Sequence, residues 1–212
     1  MLEDRKDNAN AAAFLQREAA FAETFARHVE AGVIFYSRDG ILIDPEVQIA
    51  PGAAILPGTI LKGKTTVGAG SVIGPNSWLE DASVGENVVF NASQGRSCTI
   101  ADGAQIGPFA QLRPDSHVGK NVHIGDFVEV KNSTIGEGTS VSHLTYVGDS
   151  DVGKYCNFGC GVVTVNYNGA DKNRCTVGDY AFIGCNTNLV APVTVGNGAY
   201  TAAGSTITED IP

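Results

Sequence analysis

Two cations, a carboxylate, a phenol and an imidazole near the middle of this 212-residue chain have the types and spacing to bind and activate a small anion. Arg113 and Lys131 are 18 residues apart, and each follows an aliphatic residue, Leu112 and Val130. If 18 residues make one turn of a repeating coil, the two cations lie one above the other at about one β-strand spacing, ~4.8 Å. At that separation they repel by about 0.9 kcal/mol in water and about 3.5 kcal/mol at an effective dielectric of 20. On a chain with 14 Lys+Arg against 23 Asp+Glu, net charge −9, such a cost points to an anion held between them. A phosphate monoester, close to −2 at neutral pH, suits. Glu129 and Tyr146, 17 apart, stack beside the pair. The alternative for Glu129 is to neutralise Lys131 in a solvated ladder of side chains.

His143 follows Val141 by two positions, on a different face from Lys131, among the polar Ser142, Thr145 and Tyr146. An imidazole with an ordinary pKa near 6.5 can take a proton from a nucleophile at neutral pH. His28, His117 and His123 read as structural. If His143 serves the same site as Arg113 and Lys131, one chain need not bring them together, and a cleft between copies in a homo-oligomer follows.

The elements that position these groups are set by a period of six. Aliphatic residues return at Ile43, Ile49, Ile55, Leu61, Val67, Ile73 and Leu79. After one slip near Val84 they resume at Ile100, Ile106, Leu112, Val118, Ile124 and Val130. Further slips give Ile135, Val141 and Val147, then Val152, Phe158 and Thr164; Val177, Ile183, Leu189, Val195, Thr201 and Ile207 close the series. Six matches neither a 3.6-residue helix nor one straight strand. It matches a three-sided coil of short strands in which the aliphatic residue points inward and the next residue, often Gly as in Gly68, Gly125 and Gly136, accepts a tight corner. Three hexads make an 18-residue rung, so Ile43 to Ile207 predicts about nine rungs of parallel β-helix. Val165 to Thr176 carries no hexad residue and must leave the prism as a loop, the kind of insertion that collects on a binding face.

Residues from about Asn8 to Glu30, without Gly or Pro and with Phe14, Phe21, Phe25 and Val29 at helical spacing, predict a helix. It either caps the open end of the prism or connects to a separate domain. The division is then an N-terminal helical segment, 1–40, and an all-β parallel helix, 41–212. The acidic balance excludes nucleic acid and anionic membranes as partners. No apolar run reaches membrane-spanning length, and the acidic start lacks a signal peptide. Five cysteines without paired CxxC units argue against a disulfide framework or a zinc site and suit a cytoplasmic protein.

The segments SHLTYVGD (142–149), NFGCGVVTVNYNGADK (157–172) and LVAPVTVGNGAYTAAGS (189–205), with IGPFAQLRP and IGDFVEVKN before them, carry a resemblance. The chain resembles the acetyltransferase domain of the bifunctional N-acetylglucosamine-1-phosphate uridylyltransferase and glucosamine-1-phosphate acetyltransferase family. The likeness is close from about Ile106 to Thr208 and looser from Gly32 to Asn76. It implies a left-handed β-helix, assembled as a homotrimer with active sites between subunits. It also implies transfer of acetyl from acetyl-CoA to the amine of glucosamine 1-phosphate, on the route to UDP-N-acetylglucosamine. By motif position Arg113, Lys131, Tyr146, Asn157 and Lys172 match sugar-phosphate ligands. His143 matches the general base, with Glu129 as a helper. Cys160 by its backbone, Asn166, Tyr167, Cys185 and Ala203 match positions lining the acetyl-CoA site; no metal is implied. Three departures stand out. The first 40 residues are too short for a uridylyltransferase domain, so that activity is not expected of this chain. The family's basic C-terminal contact to coenzyme A has no counterpart before Pro212, and Cys185 stands where serine is usual. The alternatives are an acyltransferase of this fold acting on another amino sugar, and a non-catalytic β-helix that binds a sugar nucleotide or a protein.

Overall fold

The computed structural model describes residues 2–212, so Met1, at the head of the 1–40 segment, lies outside the described residues. Strands of two to four residues form three parallel walls. The first wall has ten strands, from Ile34–Phe35 to Tyr200–Thr201; the second has ten, from Leu42–Ile43 to Thr206–Ile207; the third has nine, from Gln48–Ile49 to Val193–Val195. Consecutive strands lie on successive walls, and each pairs with the strand three further along. The strands are short because one inward residue per hexad fills the prism and the chain must then turn. The solenoid begins at Ile34, ahead of the boundary at 41 drawn from the sequence, which adds a turn to the nine counted there.

The hexad residues form one continuous core: Leu61, Ile73, Leu79, Ile124, Val130, Val147 and Ile183 are fully buried, and only Ile207, on the last turn, is partly exposed. Between Leu79 and Ile100 the sequence count needs correction. Val84, Phe90 and Gly95 carry it there, so three steps are shortened rather than one. Gly95 occupies an inward slot paired to Leu79 and Leu112. A Cβ there would lie 2.8 Å from Leu79 Cδ2, 3.1 Å from Cys98 Sγ and 3.6 Å from the Phe90 ring, so the large ring takes the volume the glycine gives up.

Most glycines that follow the hexad residues also have a different cause from the one expected, Gly74 and Gly107, at φ +109° and +96°, being the exceptions. Gly68, Gly125 and Gly136 do not have positive φ; their added Cβ would lie 2.4, 2.0 and 2.5 Å from backbone atoms of the next rung. They allow close stacking. Most left-handed corner positions lie elsewhere and often carry other residues, such as Asn76, Phe109, Phe127, Leu144 and Asn186 along one edge.

Helix α1 runs from Leu2 to Glu30 and meets the first rungs with its last turns. Thr24 and His28 are buried, the rings of Phe25 and Phe35 are 4.3 Å apart, and Arg27 donates to the Pro45 carbonyl at 2.9 Å. Phe14 and Val29, expected on the apolar face, are exposed, so the contact face is Phe21, Thr24, Phe25 and His28. No helix among the described residues is long and apolar enough to cross a membrane.

Candidate active site

The second wall presents two outward columns of side chains. One contains Trp78, Gln94, Gln111, Glu129 and Tyr146, each register partner of the next. Two residues along each strand, the other holds Glu80, Arg96, Arg113 and Lys131. Arg113 donates its backbone N–H to Val130 at 2.8 Å, which fixes it above Lys131 on the same wall. Each cation keeps its own carboxylate: Arg113 Nη1 is 2.8 Å from Glu129 Oε1, and Lys131 Nζ is 3.5 Å from Asp149 Oδ2. Glu129 therefore forms its ion pair with Arg113, and Lys131 forms one with Asp149.

Asp149 is the buried hub of this wall, and the sequence reading missed it. Its side chain is 4% exposed and accepts hydrogen bonds from the amides of Asn132 and Asn166 as well as the Lys131 contact. Burial would raise its pKa, but the two amides and the Lys131 ammonium outweigh burial and hold the carboxyl below its usual range. The Asn166 amide also donates to the Tyr146 hydroxyl at 3.3 Å, so one side chain ties the phenol to the buried carboxylate.

The insertion after Val165 leaves the prism and returns at Cys175. Asn168 Oδ1 accepts from the N–H groups of Ala170 and Asp171 and folds the tip, while Tyr167 and Lys172 pair across the loop. Arg174 forks onto both Asp151 oxygens, at 2.7 and 3.0 Å, and donates to the Asn132 carbonyl at 3.1 Å. This anchor brings Lys172 beside Lys131, whose ammonium lowers the Lys172 pKa, with a further depression from Arg113. Arg113, Lys131 and Lys172 are thus close enough to feel one another's charge. An incoming dianion would relieve their repulsion.

His143 lies on the neighbouring wall, at the end of the strand Ser140–His143, with its side chain 60% exposed. Its Nδ1 is 2.7 Å from Asp126 Oδ1, one rung back. An ionised carboxylate can only accept, so Nδ1 carries a proton, and the lone pair of the neutral ring is then on Nε2. That hydrogen bond also holds the Asp126 carboxyl below its usual range. Asp126 was not picked out from the sequence, although the 17-residue step that stacks Tyr146 on Glu129 also stacks His143 on Asp126. Backbone hydrogen bonds from Leu144 to Asp126, Gly161 to His143, Asn186 to Cys160 and Gly204 to Cys185 continue the column. Asp126, His143, Cys160, Cys185 and the adjoining Ala203 therefore form one edge of the prism. Asn157 lies on the His143 wall, exposed, one rung beyond Ser140.

Cys98, Cys156 and Cys175 point inward, and burial pushes the Cys98 thiol up to about 12 and the Cys175 thiol to about 11. Neither is a nucleophile. No group of three or more His, Cys, Asp or Glu able to hold a metal occurs among the described residues.

Residues 94–168 match the family model of the GMPPB C-terminal domain, and residues 174–209 that of the bacterial transferase hexapeptide with six repeats. The bifunctional protein GlmU of Clostridium acetobutylicum is 50% identical over 186 residues, which is 88% of this chain and 41% of that protein. Its namesake in Brevibacillus brevis is 50% identical over 185 residues, 87% of this chain and 40% of that protein. The chain spans about two fifths of the length of the curated relatives it matches. A solved Francisella novicida UDP-N-acetylglucosamine acyltransferase shares the fold, with a TM-score of 0.55 at 17% identity over 84% of this chain and 64% of that one.

Proposed function

From the premise that this chain is a hexapeptide-repeat solenoid homologous to GlmU proteins over 88% of its length, we propose that it is an acetyl-CoA-dependent N-acetyltransferase acting on glucosamine 1-phosphate. The observation that carries the reading is the grouping of Arg113, Lys131 and Lys172 on one wall, with an exposed imidazole held through Nδ1 by Asp126 on the neighbouring wall.

In this reading the sugar phosphate displaces Glu129 from Arg113 and lies among the three cations, with the Tyr146 hydroxyl and the Asn157 amide bonding the sugar. The free amine attacks the thioester carbonyl carbon, and His143 Nε2 takes the proton the nitrogen loses. The C–S bond then breaks, the sulfur leaves as thiolate, and the imidazolium returns the proton to it. Asp126 holds the ring in the tautomer that makes Nε2 the base and stabilises the imidazolium, a contribution within the ~10²- to 10⁴-fold range of general base catalysis. The edge running from His143 through Cys160 and Cys185 to Ala203 covers three rung steps, about 14 Å, and suits the extended arm of coenzyme A. Asn166 and Tyr167 border it from the insertion.

The base and the cations lie on adjacent walls, so we assign the complete site to a cleft between copies in a homotrimer. Phe109, Phe127 and Leu144, each more than half exposed, run next to the Asp126–His143 edge and supply apolar surface for that contact. Five free cysteines accord with a reducing compartment, the cytoplasm. The test is thiol release from acetyl-CoA with glucosamine 1-phosphate, run beside amino sugars lacking the 1-phosphate. Turnover confined to the phosphorylated acceptor supports the proposal; no turnover with any acceptor ends it.

A further inference from the structure

The cation column does not stop at the sugar-phosphate site. Arg96 is the register neighbour of Glu80 and stands one rung before Arg113, so Arg96, Arg113 and Lys131 occupy three successive rungs at the same outward position. Two rung steps span about 10 Å, more than a single phosphoryl group bridges. Arg96 is held by Glu80 at 3.3 Å and remains largely exposed, the arrangement of a cation free to exchange a carboxylate for a phosphate. Beside this column lies a groove of about 440 Å³ bordered by Trp78, Gln94, Arg96, Gln111, Arg113 and Glu129. Its size falls in the range of small-ligand sites, roughly 300–1,000 Å³. Its chemistry is ordered along the axis. An indole lies at one end, two primary amides sit in the middle, and guanidinium groups flank them toward the sugar-phosphate site. The Lys62 ammonium, 5.7 Å from the Trp78 ring centroid, steadies the indole.

We propose that this groove is a nucleoside-diphosphate subsite continuous with the sugar-phosphate site; the proposal rests on the reading that Arg113 and Lys131 hold the phosphate attached to the sugar. A second phosphate then meets Arg96. The amides of Gln94 and Gln111, each with donors and an acceptor, face the ribose hydroxyls, and the base lies against Trp78. The glucosamine amine stays at His143, because the first phosphate is unmoved. Two sources share this ligand chemistry: a nucleotide-linked amino sugar as acceptor, and a free nucleoside diphosphate that competes with the monophosphate acceptor.

Trp78 is the one tryptophan of the chain and borders the groove, so its fluorescence reports on ligands bound there. Titration of the intact oligomer with UDP is expected to quench or shift that emission, whereas uridine and glucosamine 1-phosphate leave it unchanged. Arg96→Gln is expected to weaken UDP binding about tenfold by calorimetry, the loss of one charge-assisted phosphate contact of roughly 1.4 kcal/mol. Trp78→Phe, which keeps a stacking surface, is expected to weaken it less than Trp78→Ala. In thiol-release assays UDP should raise the KM for glucosamine 1-phosphate without lowering kcat. Acetylation of UDP-glucosamine supports the subsite and assigns the nucleotide to the acceptor; UDP binding without that acetylation supports it and assigns a free nucleotide. An emission unmoved by millimolar UDP, or unchanged UDP affinity in Arg96→Gln, overturns the subsite. Failure of glucosamine 1-phosphate to be acetylated is a separate result that overturns the catalytic reading, because the fluorescence titration needs no turnover.

Discussion

His143 and Asp149 differ in what surrounds them, and so in what their loss should do. His143 is mostly exposed, and its ring is hydrogen-bonded to Asp126. Its replacement by Ala is expected to leave the oligomer and its thermal midpoint intact while kcat falls by about 10²- to 10⁴-fold; retained turnover would remove it as the base. Asp126→Ala removes the acceptor that orients the ring, so kcat should fall with the KM of both substrates unchanged, a split that general unfolding would not produce. Asp149 is buried and charged, and its folded pKa is lowered. Its contribution to stability is therefore fully present above its unfolded pKa of about 3.9 and is lost as pH falls toward the folded value. Asp149→Asn tolerates the corner's φ of +49°, so backbone strain is not the cause of any change. The variant leaves Lys131 without its carboxylate and should be less stable at pH 7 by about 1–3 kcal/mol. In urea titrations run from pH 7 to pH 3, the difference from the unsubstituted chain should shrink toward the acid end. A constant gap across that range would contradict the ionic account.

At the scale of a rung, what was legible in the sequence is what burial dictates. One inward side chain per hexad must be aliphatic, so Leu61, Ile124 and Val147 announce themselves, and the rung length then stacks Arg113 on Lys131 and Glu129 on Tyr146. Phe90 and Gly95 escaped because a large and a small residue exchange volume, which breaks the pattern while the core stays filled. Asp149 escaped because an aspartate at a corner resembles the other corner residues, Asp81 and Asp115. Lys172 could be placed only through the resemblance, since the insertion interrupts the count. The two kinds of glycine give a direct test of the stacking account. Gly52 has φ +79° and open space around the added Cβ, and Asn87 and Asn121 adopt the same conformation, so Gly52→Asn should change stability by no more than about 0.5 kcal/mol. Gly68 has ordinary φ but its Cβ would lie 2.4 Å from the Gly85 carbonyl oxygen, so Gly68→Ala should cost about 1–3 kcal/mol in denaturant unfolding. The reverse ranking would mean that corner conformation, and not rung spacing, selects glycine. The insertion has its own anchor. Arg174→Ala removes the fork to Asp151 and should raise the KM for the sugar phosphate several-fold, because Lys172 is no longer held beside Lys131.

Over the whole molecule, the prism makes proximity within a wall easy and proximity between walls hard. His143 and the Arg113–Lys131 column lie on different walls of one chain, and in the proposed trimer a second copy set against the shared edge would present both to one substrate. That edge carries Phe109 and Phe127, whose rings stack 5.5 Å apart in the left-handed region that bulky residues seldom occupy. A charge placed there should be incompatible with association, so Phe127→Asp is expected to sediment as a monomer and to lose acetyl transfer while keeping its β-sheet circular dichroism. A mixing experiment tests the division of labour more sharply. On the proposed roles His143→Ala chains would lack the base and Arg113→Ala chains a phosphate ligand, so each alone should be inactive. When the two are unfolded together and refolded in equal amounts, a site that takes its base from one copy and its cation from the next is complete in about one case in four, from the two independent choices of neighbour in a ring. Recovery of about a quarter of full activity is the expected result. Mixed trimers without activity would place both groups in the service of a single chain and require the edge to bend in a way the stacked rungs resist.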